Sequence, residues 1–178
     1  AEAIRDGWLR TGDRGYIASG ELYVTGRTKE LIIKGGKNLY PQDIETAAAR
    51  VKGVRIGCCA AFGLTNEKRG TEDVVLIAET RVEDPPEKAR LLSEVRLSVL
   101  SSTGATPDVV LLVKPGTVPK TSSGKIQRDL MRQRYRSGDL SPGRPSLFTL
   151  VRLKMAMTLH QVRESRLPRL LRKRRSAS

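Results

Sequence analysis

The sequence is poor in the residues that build metal and acid–base sites. It has one histidine, His160, and two cysteines in 178 residues. The cysteines, Cys58 and Cys59, are neighbours, and neighbours in a strand point to opposite faces, so they cannot bridge each other. No third cysteine exists to pair with them or to complete a zinc site. They read as two small buried apolar residues, and unpaired thiols fit a reducing compartment. Aromatic residues make up only 4% of the chain. No apolar run approaches the roughly 20 residues that span a bilayer. The opening stretch AEAIRDGWLRTGD has no basic-then-apolar leader pattern. The chain is therefore expected in the cytoplasm. It starts without Met, inside what reads as structured sequence, and is expected to be a piece of a longer protein.

What is present suffices for one ordinary domain with extensions. Apolar residues make up 38%, enough for a core. The formal charge of +14 is unevenly placed. Residues 144–178 hold ten Lys and Arg against the single acid Glu164, a net +9, which leaves +5 for residues 1–143. The high pI therefore belongs mainly to the tail.

Turn signals at Thr11-Gly12-Asp13 and Ser19-Gly20 flank strand-like Tyr16-Ile17 and Leu22-Tyr23-Val24, which predicts a hairpin. A short strand over Leu31-Ile32-Ile33 is expected to stop at Gly35-Gly36. Pro41 opens a helix where its missing N–H is harmless. Asp43 and Glu45 suit the positive end of that helix, Ile44, Ala47, Ala48 and Val51 share a face, and Gly53 is the expected stop. Val54–Phe62 and Val74–Thr80 read as strands. After Pro85-Pro86 comes a long amphipathic helix, with Leu91, Leu92, Val95, Leu97, Val99 and Leu100 as its apolar positions and Gly104 as its end. Val109–Val113 is a further strand and Ile126–Arg136 a last helix. The order β–α–β–β–α–β–α after the hairpin predicts an α+β sandwich: a small sheet of about three strands packed with helices.

Between the last strand and the last helix lies PKTSSGK, Pro119–Lys125. It is not a phosphate-binding P-loop, because Gly116 lies too far before Gly124 and Ile126 stands where Ser or Thr is required. Alone, it reads either as a loop that brings Lys125 to a ligand or as an exposed loop with incidental lysines.

Other segments join it. WLRTGD at Trp8–Asp13, GRTK at Gly26–Lys29, KGGKNLYP at Lys34–Pro41 and SSGK occur in this order. The set resembles the adenylate-forming ligase superfamily, which includes acyl-CoA synthetases, luciferases and peptide-synthetase adenylation domains. The resemblance covers about residues 6–137. ELYVTGR, GKNLYPQDIE and TSSGKIQR are most similar to the fatty acyl-AMP ligase branch.

This resemblance implies a role for each motif. Asp13 would hold the ribose hydroxyls of ATP or AMP, since one carboxylate can accept two hydroxyl hydrogen bonds. Arg27 would lie near the ribose and phosphate with its fixed charge. Lys29 would be the hinge about which the small domain rotates. Gly35 and Gly36 would line the phosphopantetheine tunnel. Lys125 would enter the site during adenylation and offset charge on the carboxylate and α-phosphate. The substrates implied are a fatty acid and ATP with Mg²⁺, and the acceptor is the thiol of an acyl carrier protein, or CoA. Residues 1–28 would be the terminal strands of a large N-terminal domain, 29–137 the mobile C-terminal domain, and 138–178 a linker and basic tail. The large domain's phosphate loop, acyl pocket and metal-binding acid are not found here, so the chain alone is expected to be inactive and no metal site is assigned to it.

The tail's Leu147–Val162 could form an amphipathic helix, broken at Pro168. It reads as a solvated extension, with an acidic partner or an anionic membrane surface as alternatives, and no specific nucleic acid is expected. A CoA ligase of the same fold and a non-catalytic basic binding module remain the competing readings.

Overall fold

A computed structural model of the chain describes residues 4–141. The expected linker and helix from residue 142 onward lie outside the described residues.

The chain opens with two antiparallel pairs. β1 (Ile4–Arg5) pairs with β2 (Trp8–Leu9), and β3 (Asp13–Ala18) with β4 (Glu21–Arg27). The second pair is the expected hairpin, closed by Ser19 and Gly20, both at positive φ, which is the two-residue turn that matches strand twist. A single 3₁₀ turn, Thr28–Glu30, follows.

Next come β5 (Ile32–Lys34) and β6 (Lys37–Leu39), an antiparallel pair around Gly35 and Gly36. The sequence reading missed β6. Its residues Lys37-Asn38-Leu39 are too polar to register as a strand, yet two glycines between short runs are a hairpin signal. Here φ is +54° at Gly35 and +77° at Gly36, a conformation that side chains other than glycine enter at a cost.

α1 (Pro41–Ala49) starts at the proline as expected. It stops earlier than predicted, with Arg50 rather than Gly53 at its C-cap. β7 (Val54–Asn66) and β8 (Thr71–Thr80) form a long antiparallel ribbon, extending past the predicted strand ends. α2 (Pro85–Thr103) is capped by the Asp84 side chain and ended by left-handed Gly104. β9 (Val109–Val113) then pairs in parallel with β8, the arrangement that requires a crossover helix. α3 (Arg128–Ser137) closes the described part.

Strand alternation divides the core into two layers. Cys59, Ala61, Val74, Leu76 and Ala78 face α1 and α2, where they meet Ile44, Ala48, Leu91, Val95 and Val99. Ala60, Phe62, Val75 and Ile77 face the other side, against Val118 and Met131. Each fully buried Leu or Ile of this kind contributes roughly 1.5–3 kcal/mol. Leu97 and Leu100 are exposed, although the sequence reading counted them among the apolar positions of α2. The buried positions Leu91, Val95 and Val99 recur every four residues and form the inner stripe, with Leu92 packing at its margin.

Both cysteines are buried. Burial above all, with the nearby Glu45 charge second, pushes the Cys59 thiol up to about 12. A thiol so protonated is a poor nucleophile. A maleimide or disulfide reagent at pH 8 is expected to leave Cys59 of the native chain intact and to modify it after denaturation. Native labelling at the denatured rate would contradict the burial.

Candidate functional site

The PKTSSGK segment forms a narrow loop. Lys120 and Ile126 bridge antiparallel at its base. Thr121 N–H donates to the Lys125 carbonyl at 2.8 Å, and Gly124 N–H to the Thr121 carbonyl at 2.9 Å. Lys125 N–H donates to Thr121 Oγ1 at 3.0 Å, which also lies 2.9 Å from Ser123 Oγ. These bonds are internal to the loop, so its shape does not depend on the Lys125 side chain. That side chain is exposed. Among the described residues its ammonium has no hydrogen-bond or ion-pair partner. A free cation on a stiff turn can be offered to an anion held elsewhere.

Buried carboxylates fasten the segment on both sides. Before the loop, Glu79 Oε1 accepts the Gly116 N–H at 2.9 Å and the Val118 N–H at 2.8 Å. Its other oxygen pairs with Arg55. After the loop, Arg128 Nε and Nη2 each lie 2.7 Å from a different oxygen of Glu45, and Nη1 lies 2.5 Å from Glu30. Glu45 Oε1 also accepts the Ala61 N–H at 2.9 Å. The hydrogen bond to Glu45 comes first among the effects that raise the Arg128 pKa, against the opposing pull of burial.

Glu45 was expected to serve the positive end of its helix. It is instead buried and takes the guanidinium as a fork, the geometry that makes such pairs strong. A signal was available. Glu45 sits on the α1 stripe with Pro41, Ile44 and Ala48, which are all buried, and an acid on a buried stripe needs a partner. Glu79, inside the apolar run VVLIAET, carried the same signal. Sequence reasoning gave neither a long-range partner, and assigned no role to Glu79 or Glu30.

Asp13 and Arg27 face each other across the β3–β4 hairpin, with Nε 3.4 Å from Oδ1. Both are substantially exposed, so the pair contributes under about 1 kcal/mol. Thr28 N–H donates to the Gly12 carbonyl at 2.9 Å, which carries the pairing up to the 3₁₀ turn. Lys29 sits exposed in that turn.

The Gly35–Gly36 turn has its own anchors. Ile33 N–H donates to Glu72 at 2.7 Å and Gly35 N–H to Thr71 Oγ1 at 2.8 Å. Lys34 Nζ lies 2.6 Å from Asp108 Oδ2. Burial alone would raise the Asp108 pKa. The Lys34 hydrogen bond and the Val74 N–H outweigh it and hold the carboxyl below its ordinary value.

Of the residues singled out in the sequence, the structure brings Asp13 and Arg27 into contact and puts Lys29 just beyond them. Gly35, Gly36 and Lys125 stand on separate elements. No hydrogen bond or ion pair joins Lys125 to any of the others among the described residues. Nor do the described residues contain a cluster of three or more His, Cys, Asp or Glu side chains that could hold a metal ion.

No family model matches the chain. FadD30 of Mycobacterium tuberculosis strain H37Rv, described as a probable long-chain-fatty-acid–AMP ligase, is 41% identical over 142 residues. The match spans 76% of this chain and 23% of FadD30. A solved structure from the fatty acyl-adenylate ligases of E. coli and L. pneumophila superposes with a TM-score of 0.63 at 37% identity, covering 75% of this chain and 23% of that one. The chain belongs to the adenylate-forming ligases. The McyG A-PCP structure, complexed with phenylalanyl-adenylate, also matches this chain, with a TM-score of 0.68 at 31% identity over 78% of this chain and 25% of that one. The chain spans about a quarter of the length of the curated relatives it matches.

Proposed function

We propose that the complete ligase joins a fatty acid to AMP and passes the acyl group to the phosphopantetheine thiol of an acyl carrier protein. The unpartnered Lys125 ammonium on its self-contained turn is the observation that carries this reading. The names of FadD30 and of the fatty acyl-adenylate ligase structure support the choice of a fatty acid.

In the first step a carboxylate oxygen attacks the α-phosphorus of ATP and pyrophosphate leaves. Lys125, brought over the reacting centre, offsets the negative charge gathered there. Asp13 takes the ribose hydroxyls, with Oδ2 open while Oδ1 faces Arg27. In the second step residues 29–137 rotate about Lys29, withdrawing the lysine loop and presenting the Gly35–Gly36 turn. The thiol sulfur then attacks the acyl carbon and AMP leaves. Gating of this kind can expose two surfaces in turn to one site. The described residues hold no cluster of three or more His, Cys, Asp or Glu for the Mg²⁺ that accompanies ATP.

The acceptor is tested with the complete ligase, fatty acid and ATP, offering CoA and a phosphopantetheinylated carrier protein in parallel. The acylated carrier protein is the expected product, with CoA acylated at least about tenfold less efficiently, a difference of roughly 1.4 kcal/mol. Robust acyl-CoA formation would favour a CoA ligase of the same fold instead.

A further inference from the structure

The geometry points to Glu30 as a positioning residue that fastens the hinge to the base of the lysine loop. The inference rests on the proposed roles of Lys29 and Lys125. Glu30 is the last residue of the 3₁₀ turn that contains Lys29. Its carboxylate holds Arg128 at 2.5 Å, across 98 residues of sequence. Arg128 is the first residue of α3 and lies three positions after Lys125. Gln127 N–H donates to the Pro119 carbonyl at 3.0 Å, so the base of the loop is tied on both strands beside this arginine. Glu45 takes Nε and Nη2 of the same guanidinium. The guanidinium thus joins three elements: the turn at the hinge, α1 and the start of α3.

A rotation at Lys29 moves the loop accurately only if the next residue is rigidly attached to it. Glu30 provides that attachment one residue beyond the hinge. Backbone change is thereby confined to Lys29 and the residues before it. The Gly35–Gly36 turn does not share this route, because Glu72, Thr71 and Asp108 hold it to β8 and the start of β9. The two surfaces presented in the two half-reactions therefore have separate fastenings.

Hydrogen exchange on the 178-residue chain tests the attachment without any enzymatic assay. Glu30→Ala is expected to raise amide exchange about fivefold or more in residues 28–31 and 120–131 and to leave β7, β8 and β9 unchanged. Glu30→Gln keeps an oxygen acceptor for Arg128 and is expected to restore most of the protection. Unchanged exchange over 120–131 in the alanine variant would overturn the inference.

The second arm uses the complete ligase. Small misplacements of a catalytic group are costly, so Glu30→Ala should lower kcat for ATP–pyrophosphate exchange about tenfold, with KM for ATP within about twofold. Transfer from preformed adenylate to the thiol should fall less than about threefold. Equal losses in both half-reactions, or none in either, would count against a positioning role. A Lys125→Ala ligase with full pyrophosphate exchange would sink the functional reading instead, and the exchange measurement would still judge the attachment by itself.

Discussion

Replacing Lys125 by alanine in the complete ligase is expected to lower ATP–pyrophosphate exchange by about 10²–10³-fold, the scale seen when one preorganised charge-stabilising donor is removed. Thiol transfer from preformed adenylate should remain within a few-fold of the unaltered rate. The asymmetry follows from the chemistry. Charge accumulates around the α-phosphate when a carboxylate attacks it, whereas the adenylate is already formed when the thiol arrives. Structural damage is not a competing explanation. The Lys125 side chain is exposed, and the loop is shaped by the Thr121, Ser123 and Gly124 bonds, none of which uses that side chain. The melting temperature should accordingly stay unchanged. Lys125→Arg should recover little, because a planar fork does not replace a compact ammonium. Parallel losses in the two half-reactions would show that Lys125 serves something other than adenylation.

The largest effect on stability is expected at Glu45. Glu45→Ala removes two hydrogen bonds from Arg128 and strands the Ala61 N–H inside the core. Side-chain exposure of Arg128 and Glu45 is only 16% and 10%, so water cannot fully take their place. Breaking such a pair from one side costs about 3–5 kcal/mol. Denaturant unfolding of the 178-residue chain measures it directly, as a lower midpoint at unchanged slope. Glu94→Ala, which removes an exposed partner of Arg90 on α2, is the control and should cost less than about 1 kcal/mol. A Glu45 effect no larger than the control would mean that the guanidinium is well solvated after all.

The parts of the fold legible in the sequence are those set by local chemistry. Ser19-Gly20 specified its hairpin, Pro41 the start of α1, and Gly104 the end of α2. The three-strand sheet followed from the apolar runs. β6 was not legible by hydrophobicity, because its pairing is secured by the turn at Gly35–Gly36 rather than by burial. Leu97 and Leu100 were misread because an apolar side chain at roughly helical spacing can still lie outside the inner stripe. The candidate site divides in the same way. Lys125, Asp13 and the glycines sit in short motifs that announce themselves. Glu30, Glu45 and Glu79 act through partners that lie far along the chain or are backbone amides. Only an acid within a buried stripe or apolar run hinted at Glu45 and Glu79, nothing local hinted at the half-buried Glu30, and burial is a property of the folded whole.

The span of the Arg128 contacts bears on how the molecule folds as well as on how it works. Glu45 lies 83 residues from Arg128 and Glu30 lies 98, whereas β7 and β8 are joined by a four-residue turn. Closing a long loop costs more entropy than closing a short one, so the ribbon can nucleate while the Arg128 contacts are still open. Those contacts are expected to form after the transition state. Weakening them should leave the refolding rate nearly untouched and appear as faster unfolding. The bonds that fasten the lysine loop, on this account, lengthen the lifetime of the folded state.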